Sequence, residues 1–260
     1  MPLFDSHAHY DDEKFDNDRE SMLEGLRQKN DVNPLGVSFI INAASNYNTS
    51  KISISLAKKY EHVYATCGIH PEFANDVGDE LESELKSLLS QPKVVALGEI
   101  GLDYHYEDGA PKDIQANVFR RQLAVAQSLN KKVIVHDREA HADCLSIIKE
   151  FDVIGVFHSF SGSYEMAKEL VKLGWYISFS GTVTFKNAVN VARSVLAVPD
   201  DRLLIETDAP YLAPVPYRGK VNNSAFMYET AKKIAEIRET SVEKIADITL
   251  NNGKTFFGIN

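Results

Sequence analysis

The sequence predicts an α/β protein of the TIM (β/α)8 barrel class, as one domain over residues 1–260. Three observations carry that reading. Eight short apolar runs recur along the chain, and each is followed by a longer segment with apolar residues three and four apart. Strands that are apolar on both faces belong to parallel sheets covered by helices, and eight strand–helix units in a chain of this length suit a closed barrel. No G-x-G-x-x-G follows the first run, which disfavours the nucleotide-binding open sheet.

In chain order the runs are "LFDSH" from Leu3, "VSFIINAA" from Val37, "VYATCGIH" from Val63 and "VVALGEIG" from Val94, then "KVIVHD" from Lys132, "IGVFHSF" from Ile154, "WYISFSG" from Trp175 and "RLLIETDAP" from Arg202. Between them, "DIQANVFRRQLAVAQSLN" and "SYEMAKELVKLG" carry an apolar face opposite a polar one, as helices lying on a sheet require. The second starts at Ser163, a hydroxyl suited to an N-cap, and closes on Gly174, suited to the turn that ends a helix. "SVEKIADITLNNGKTFFG" reads as a last helix packed on the outside, and "DDEKFDNDRE" as an exposed helix start with acids near its positive end.

Composition narrows the partners. A chain that is 44% hydrophobic and 25% charged is long enough to bury a sizeable core. Its net charge of −9 supplies no global basic field, so a polyanionic substrate has to be gripped locally, by metals or a few cations. Cys67 and Cys144 are too few for a disulfide framework and read as reduced structural thiols. No secretory leader or membrane-spanning run is visible, so the expected location is the cytoplasm, with no membrane contact and no stable protein partner.

The residues that break the apolar pattern fall where barrels of this class build their active sites, at the C-terminal ends of the strands. His7 and His9 follow the first strand and His70 the third, while Glu99, His136, His158 and Asp208 end the fourth, fifth, sixth and eighth. A single histidine near a strand end is more often structural than a ligand. Ionisable groups repeated at several strand ends are costly to bury unless a cation pairs them, and the mix of imidazole and carboxylate suits Zn, Mn, Co or similar ions. Residues i and i+2 of a strand share a face, so His7 and His9 can reach one ion. His7, His9, Glu99, His136, His158 and Asp208 are more ligands than one tetrahedral ion needs, and Glu99 has two oxygens with which to bridge a pair. His62, His105 and His141 have no motif around them that demands a ligand and read as surface or loop residues; Tyr104 and Tyr106 could stack on a nucleobase, but aromatics near a barrel mouth more often pack loops.

Taken together, "FDSHAHYDD", "CGIHP", "ALGEIGLDYH", "VIVHDREAH", "VFHSFSG" and "LIETDAPYLAPVPYRGK" resemble the TatD family of metal-dependent hydrolases, in order and along nearly the whole chain. The resemblance implies a barrel of the amidohydrolase superfamily and two divalent ions, from among Zn, Mn, Mg, Co and Ni. It implies hydrolysis of DNA phosphodiesters as a 3′ to 5′ exonuclease. On this resemblance His7, His9, Glu99 and Asp208 hold one ion, and Glu99, His136 and His158 the other. Asp208 serves also as general base, His70 and Arg218 contact the substrate phosphate, and Glu206 stands behind the ligands. The last loop departs from the family's pattern. Tyr217 stands for a usual His, Val221 for a basic residue, and Asn223 and Ser224 for Glu-Pro. This bears on contacts to a nucleic acid strand and leaves the ligands untouched.

Two other functions fit parts of the pattern. One is a metal-dependent ester or amide hydrolase, for example one that removes a D-amino acid from mischarged tRNA, since an activated water can attack an acyl carbon as well as phosphorus. The other is a non-catalytic metal-binding scaffold, against which the complete ligand set weighs.

Overall fold

The computed structural model describes residues 1–260. All eight expected strands form: β1 (Leu3–Ala8), β2 (Val37–Asn42), β3 (Val63–Cys67), β4 (Val94–Asp103), β5 (Lys132–Arg138), β6 (Gly155–Phe157), β7 (Tyr176–Phe179) and β8 (Leu203–Ile205). Nine helices accompany them: α1 (Arg19–Gly25), α2 (Tyr47–Lys59), α3 (Leu81–Leu89), α4 (Lys112–Ser128), α5 (His141–Ile148), α6 (Tyr164–Lys172), α7 (Val189–Ala197), α8 (Met227–Ile237) and α9 (Val242–Phe257). The strands are parallel and follow one another in chain order, so the fold class is the (β/α)8 barrel. Two compact units are distinguished within it, Met1–Asn42 with His158–Asn260, and Ala43–Phe157.

In the first unit β1 pairs with β2, Leu3 opposite Val37 and Asp5 opposite Ile40, and β7 pairs with β8, Ile177 opposite Leu203. Beyond the end of β8, Ala209 bridges to Ala8 of β1. The last helix packs as the sequence predicts. Ser241 caps α9 by accepting from the Lys244 N–H at 3.1 Å, and Gly258 ends it at φ 67°. Its apolar stripe through Ile245, Leu250 and Phe257 is buried, and Phe257 stacks on Phe4 of β1 with centroids 5.8 Å apart. Burying an aromatic of this size stabilises a fold by about 1.5–3 kcal/mol. Ser163 likewise caps α6, accepting from the Met166 N–H.

The "DDEKFDNDRE" run is only partly the expected helix. A short 3-10 turn over Glu13–Phe15, capped by Asp12, comes first, and α1 begins at Arg19. Phe15, in that turn, is buried against Tyr10, 4.8 Å between centroids.

The second unit is built on β3, β4, β5 and β6, paired Ala65 to Val94, Leu97 to Val133 and Val133 to Gly155. Here β4 differs from expectation. It does not end at Glu99 but runs ten residues to Asp103, with a register shift between Leu97 and Ile100 that contains Glu99. Past the shift, Gly101 lies opposite His136 at φ 146°, and a β-carbon added there would lie 2.0 Å from the His136 carbonyl oxygen. Only glycine permits so close an approach of two backbones. His62, expected at the surface, is buried at 5% exposure against the Tyr60 ring. Cys67 and Cys144 are free and buried, and burial pushes the Cys67 thiol up to about 12 and that of Cys144 well above its ordinary value.

Candidate metal centre

In the first unit β1 and the end of β8 converge on one point. The Asp208 N–H donates to the His7 carbonyl at 2.9 Å and the His9 N–H to the Ala209 carbonyl at 2.7 Å, so backbone pairing alone sets Asp208 beside the two histidines. Nε2 of His7 lies 3.1 Å from Nε2 of His9, and Oδ1 of Asp208 lies 3.7 and 3.2 Å from these two nitrogens. Ligand atoms about 2.0–2.1 Å from a tetrahedral ion are about 3.3 Å from one another. The three atoms therefore have the spacing and the N,N,O chemistry of a transition-metal site, and the residues fit the implied ion. His158, directly after β6, stacks on His7 with centroids 4.0 Å apart.

Burial alone would raise the Asp208 carboxyl. The hydrogen bond from His9 and the charges of His9, His158 and His7 outweigh it and hold the group below its ordinary value. It is thus ionised at neutral pH, as a ligand must be. Asp208 sits at φ 58°, a left-handed conformation that Asp and Asn tolerate better than other non-glycine residues.

Two buried carboxylates support this cluster. Glu206 is fully buried, and its Oε1 lies 2.7 Å from the Ser159 N–H and 3.2 Å from Nδ1 of His158. A carboxylate on one ring nitrogen fixes the tautomer and leaves the other nitrogen to face an ion; Glu206 is placed where it can do this for His158. Asp5, which the sequence reading missed, accepts from the Thr207 N–H at 3.0 Å, the Thr207 hydroxyl at 2.7 Å, the Ser224 hydroxyl at 2.6 Å and the His7 N–H at 3.3 Å. Burial pushes its carboxyl up to about 7 against the opposing pull of those bonds. It ties the strand bearing His7 to the residue before Asp208. Ser224, one of the departures from the family pattern, is part of this tie, and its N–H also donates to the Tyr10 hydroxyl at 2.9 Å.

The second unit carries its own cluster. Ligand atoms of His70, Glu99 and His136 lie within 4.8 Å of one another. The Glu99 N–H donates to the Ala44 carbonyl at 2.8 Å and the His70 N–H to the Ser45 carbonyl at 2.8 Å, so the stretch after β2 seats both residues. Nδ1 of His136 is 2.6 Å from Oε1 of Glu99, and its Nε2 is 3.2 Å from Oδ2 of Asp103. Asp103, inside the "GLDYH" motif but not singled out in it, thereby holds the ring from behind as Glu206 holds His158. Burial opposes ionisation of Asp103, but the His136 hydrogen bond, the His105 N–H and nearby positive charge keep its carboxyl below the usual value.

His70 stands apart from the ligands in its protonation. Its Nδ1 accepts from the Glu72 N–H at 3.2 Å, which assigns the proton of the neutral ring to Nε2, and that nitrogen points towards Glu99 at 3.8 Å. A ring so arranged can donate a hydrogen bond through Nε2. Arg218 is not brought to the ligand atoms. It is exposed in the β8–α8 loop, with its guanidinium 4.0 Å from the Phe185 ring centroid and Nη1 donating to the Ala213 carbonyl at 3.3 Å. Tyr217 stacks on Phe226, 3.9 Å between centroids and 6° from parallel. No helix is long and apolar enough to cross a membrane.

Comparison with known proteins agrees with these motifs. The family described as "TatD related DNase" matches residues 4–258. The metal-dependent hydrolase YabD of Bacillus subtilis is 42% identical over 261 residues, covering 99% of this chain and 100% of its own. The metal-dependent hydrolase YcfH of Escherichia coli K12 is 39% identical over 266 residues, covering 100% of this chain and 97% of its own. The crystal structure of YjjV, a TatD homologue of E. coli K12, superposes with a TM-score of 0.90 at 31% identity, covering 99% of this chain and 98% of its own. With full-length similarity to three such proteins and ligand-type residues gathered at its strand ends, this chain belongs to the TatD family of metal-dependent hydrolases.

Proposed function

We propose that the protein is a divalent-metal-dependent phosphodiesterase acting on DNA as a 3′ to 5′ exonuclease, with His7, His9, Glu99, His136, His158 and Asp208 as the ligands of two ions. The observation that carries the metal is the convergence of His7, His9 and Asp208, whose three ligand atoms are 3.1–3.7 Å apart. The phosphodiester rests on the family's description as related to DNases.

A phosphodiester is anionic and repels hydroxide. Ions held by these residues would supply positive charge to the phosphoryl oxygens and lower the pKa of bound water towards ~7. The protein's own groups do the rest. Asp208, ionised and turned into the cluster, accepts the proton of the attacking water. Nε2–H of His70 donates to a non-bridging oxygen, where negative charge grows in the transition state. Glu206 and Asp103 hold His158 and His136 in one tautomer and orientation. Arg218, on its exposed loop, meets a phosphate of the bound strand. The chain's net charge of −9 leaves binding dependent on these few cationic groups and the ions, so affinity should fall steeply with salt.

The test is hydrolysis of end-labelled single-stranded DNA, double-stranded DNA, RNA and an aminoacyl ester across Mg, Mn, Co, Ni and Zn, for wild type and Asp208→Asn. DNA hydrolysis that requires a divalent ion and is abolished in a folded Asp208→Asn variant is expected. Turnover confined to the ester identifies an acyl hydrolase instead, and near-wild-type activity in Asp208→Asn removes the general base.

A further inference from the structure

The loop after β8 holds one aromatic ring in solvent beside a proposed ligand. Tyr211 is 45% exposed, and its ring centroid lies 6.3 Å from that of His9, with the rings 65° apart. Three bonds fix it there: its N–H donates to the Asp208 carbonyl at 2.8 Å, its hydroxyl to the Asp12 carboxylate at 2.6 Å, and the Asn222 amide donates to its carbonyl at 2.7 Å. The Lys14 ammonium is 4.3 Å from the ring centroid.

The ring is thus held at the surface by its hydroxyl and backbone bonds, half exposed beside His9. Every nucleobase has a π-face, so a tethered aromatic accepts any of them without reading sequence. A tyrosine has only two side-chain torsions, and here both ends are already fixed, so little freedom is lost on stacking. Lys14 adds positive charge at the ring, in a chain whose net charge would otherwise repel a strand.

We propose that Tyr211 is the stacking platform for the base adjoining the scissile phosphodiester, with Lys14 meeting a neighbouring phosphate. The inference rests on the phosphodiesterase reading. It is tested by steady-state hydrolysis of a single-stranded oligonucleotide and of the same oligonucleotide with an abasic terminal residue, using wild type, Tyr211→Phe and Tyr211→Ala. Phenylalanine keeps the ring and loses the Asp12 tie, whereas alanine loses both.

Wild type should show a KM at least about fivefold lower for the intact end than for the abasic one, the smallest effect that stacking of one base gives. Tyr211→Phe should keep that preference and Tyr211→Ala should lose it, the two KM values converging while bound metal per chain is retained. A preference that survives in Tyr211→Ala, or one lost equally in Tyr211→Phe, overturns the platform. A wild type that cleaves both ends with equal KM does the same and leaves the phosphodiesterase standing. A wild type that cleaves no phosphodiester under any ion removes the phosphodiesterase and this inference with it.

Discussion

Replacing Gly101 with alanine probes how β4 sets the second cluster. The new β-carbon would lie 2.0 Å from the His136 carbonyl oxygen and about as close as 2.9–3.0 Å to its carbonyl carbon and amide nitrogen. Carbon and oxygen settle no closer than about 3.3 Å. The two strands would have to part by roughly an ångström, and because the atoms struck are backbone, no rotamer change relieves them. Overpacking costs about 1–3 kcal/mol even where side chains can shift. A side chain at φ 146° costs about 1–3 kcal/mol more. The expected loss is then about 2–6 kcal/mol, a large part of the ~5–15 kcal/mol that holds a domain folded. At about 2–4 °C per kcal/mol for a chain of this size, the melting midpoint should fall by at least ~4 °C. Gly25→Ala is the matched control, because its β-carbon meets nothing within 4 Å. It should be neutral or stabilising by up to ~1 kcal/mol. Urea titrations and thermal melts of the two variants decide the matter. A Gly101→Ala protein within about 0.5 kcal/mol of the control would refute the idea that backbone contact at this point positions His136.

Other consequences follow from the same geometry. Glu206→Ala strips Ser159 and His158 of a shared acceptor in a fully buried place, and metal affinity should drop about 10–100-fold in a metal titration; unchanged affinity would show that His158 needs no such support. A His136→Ala, His158→Ala double variant should lose one ion per chain and keep the other by metal analysis, and full retention would take both histidines off the ligand set. On the outside of the second unit, Arg121 grips Glu82 at 2.6 and 2.8 Å and, with burial opposing only in part, holds that carboxyl down at about 2. Because the folded pKa is depressed, the pair's contribution is present above about pH 4.5 and is lost as the pH falls through about 2. Partial exposure limits it to under ~1 kcal/mol. Glu82→Gln should therefore cost stability at pH 7 and much less near pH 2 in denaturant titrations, and an equal cost at both would exclude the charge.

Much of the architecture was legible because it is written in local periodicity. Each apolar run became a strand, and the Ser163 and Gly258 ends of α6 and α9 follow from hydroxyl capping and the left-handed freedom of glycine. Strand lengths were less legible. β6 and β8 close after three residues, and β4 continues past Glu99, because pairing with a neighbour, not composition, decides where a strand stops. His62 went inside for a similar reason, since packing against Tyr60 is invisible in the local pattern.

The candidate site divides along the same line. That two imidazoles at i and i+2 share a face is a property of any strand, so His7 and His9 could be paired from the sequence alone. The strand-end pattern supplied Glu99, His136, His158 and Asp208, and the family motifs their division between two ions. Of the groups that hold these residues in place, the resemblance named Glu206, whereas its partner atoms and the parts played by Asp5, Thr207 and Asp103 were decided only by the tertiary structure. Asp5 and Thr207 are 202 residues apart, and Glu206 and His158 are 48 apart. Nothing in a stretch of sequence distinguishes a buried carboxylate bonded to a ligand from one in a solvated turn, because the difference lies in which backbone N–H groups and ring nitrogens the folded chain brings within about 3 Å of it. Arg218 and Tyr211 make the same point from the surface. Both lie in one loop, yet the ring of Tyr211 lies beside His9 and the guanidinium of Arg218 lies on Phe185. The sequence determined which ligand chemistry is available and on which strands; packing determined which of those side chains meet and what keeps them there.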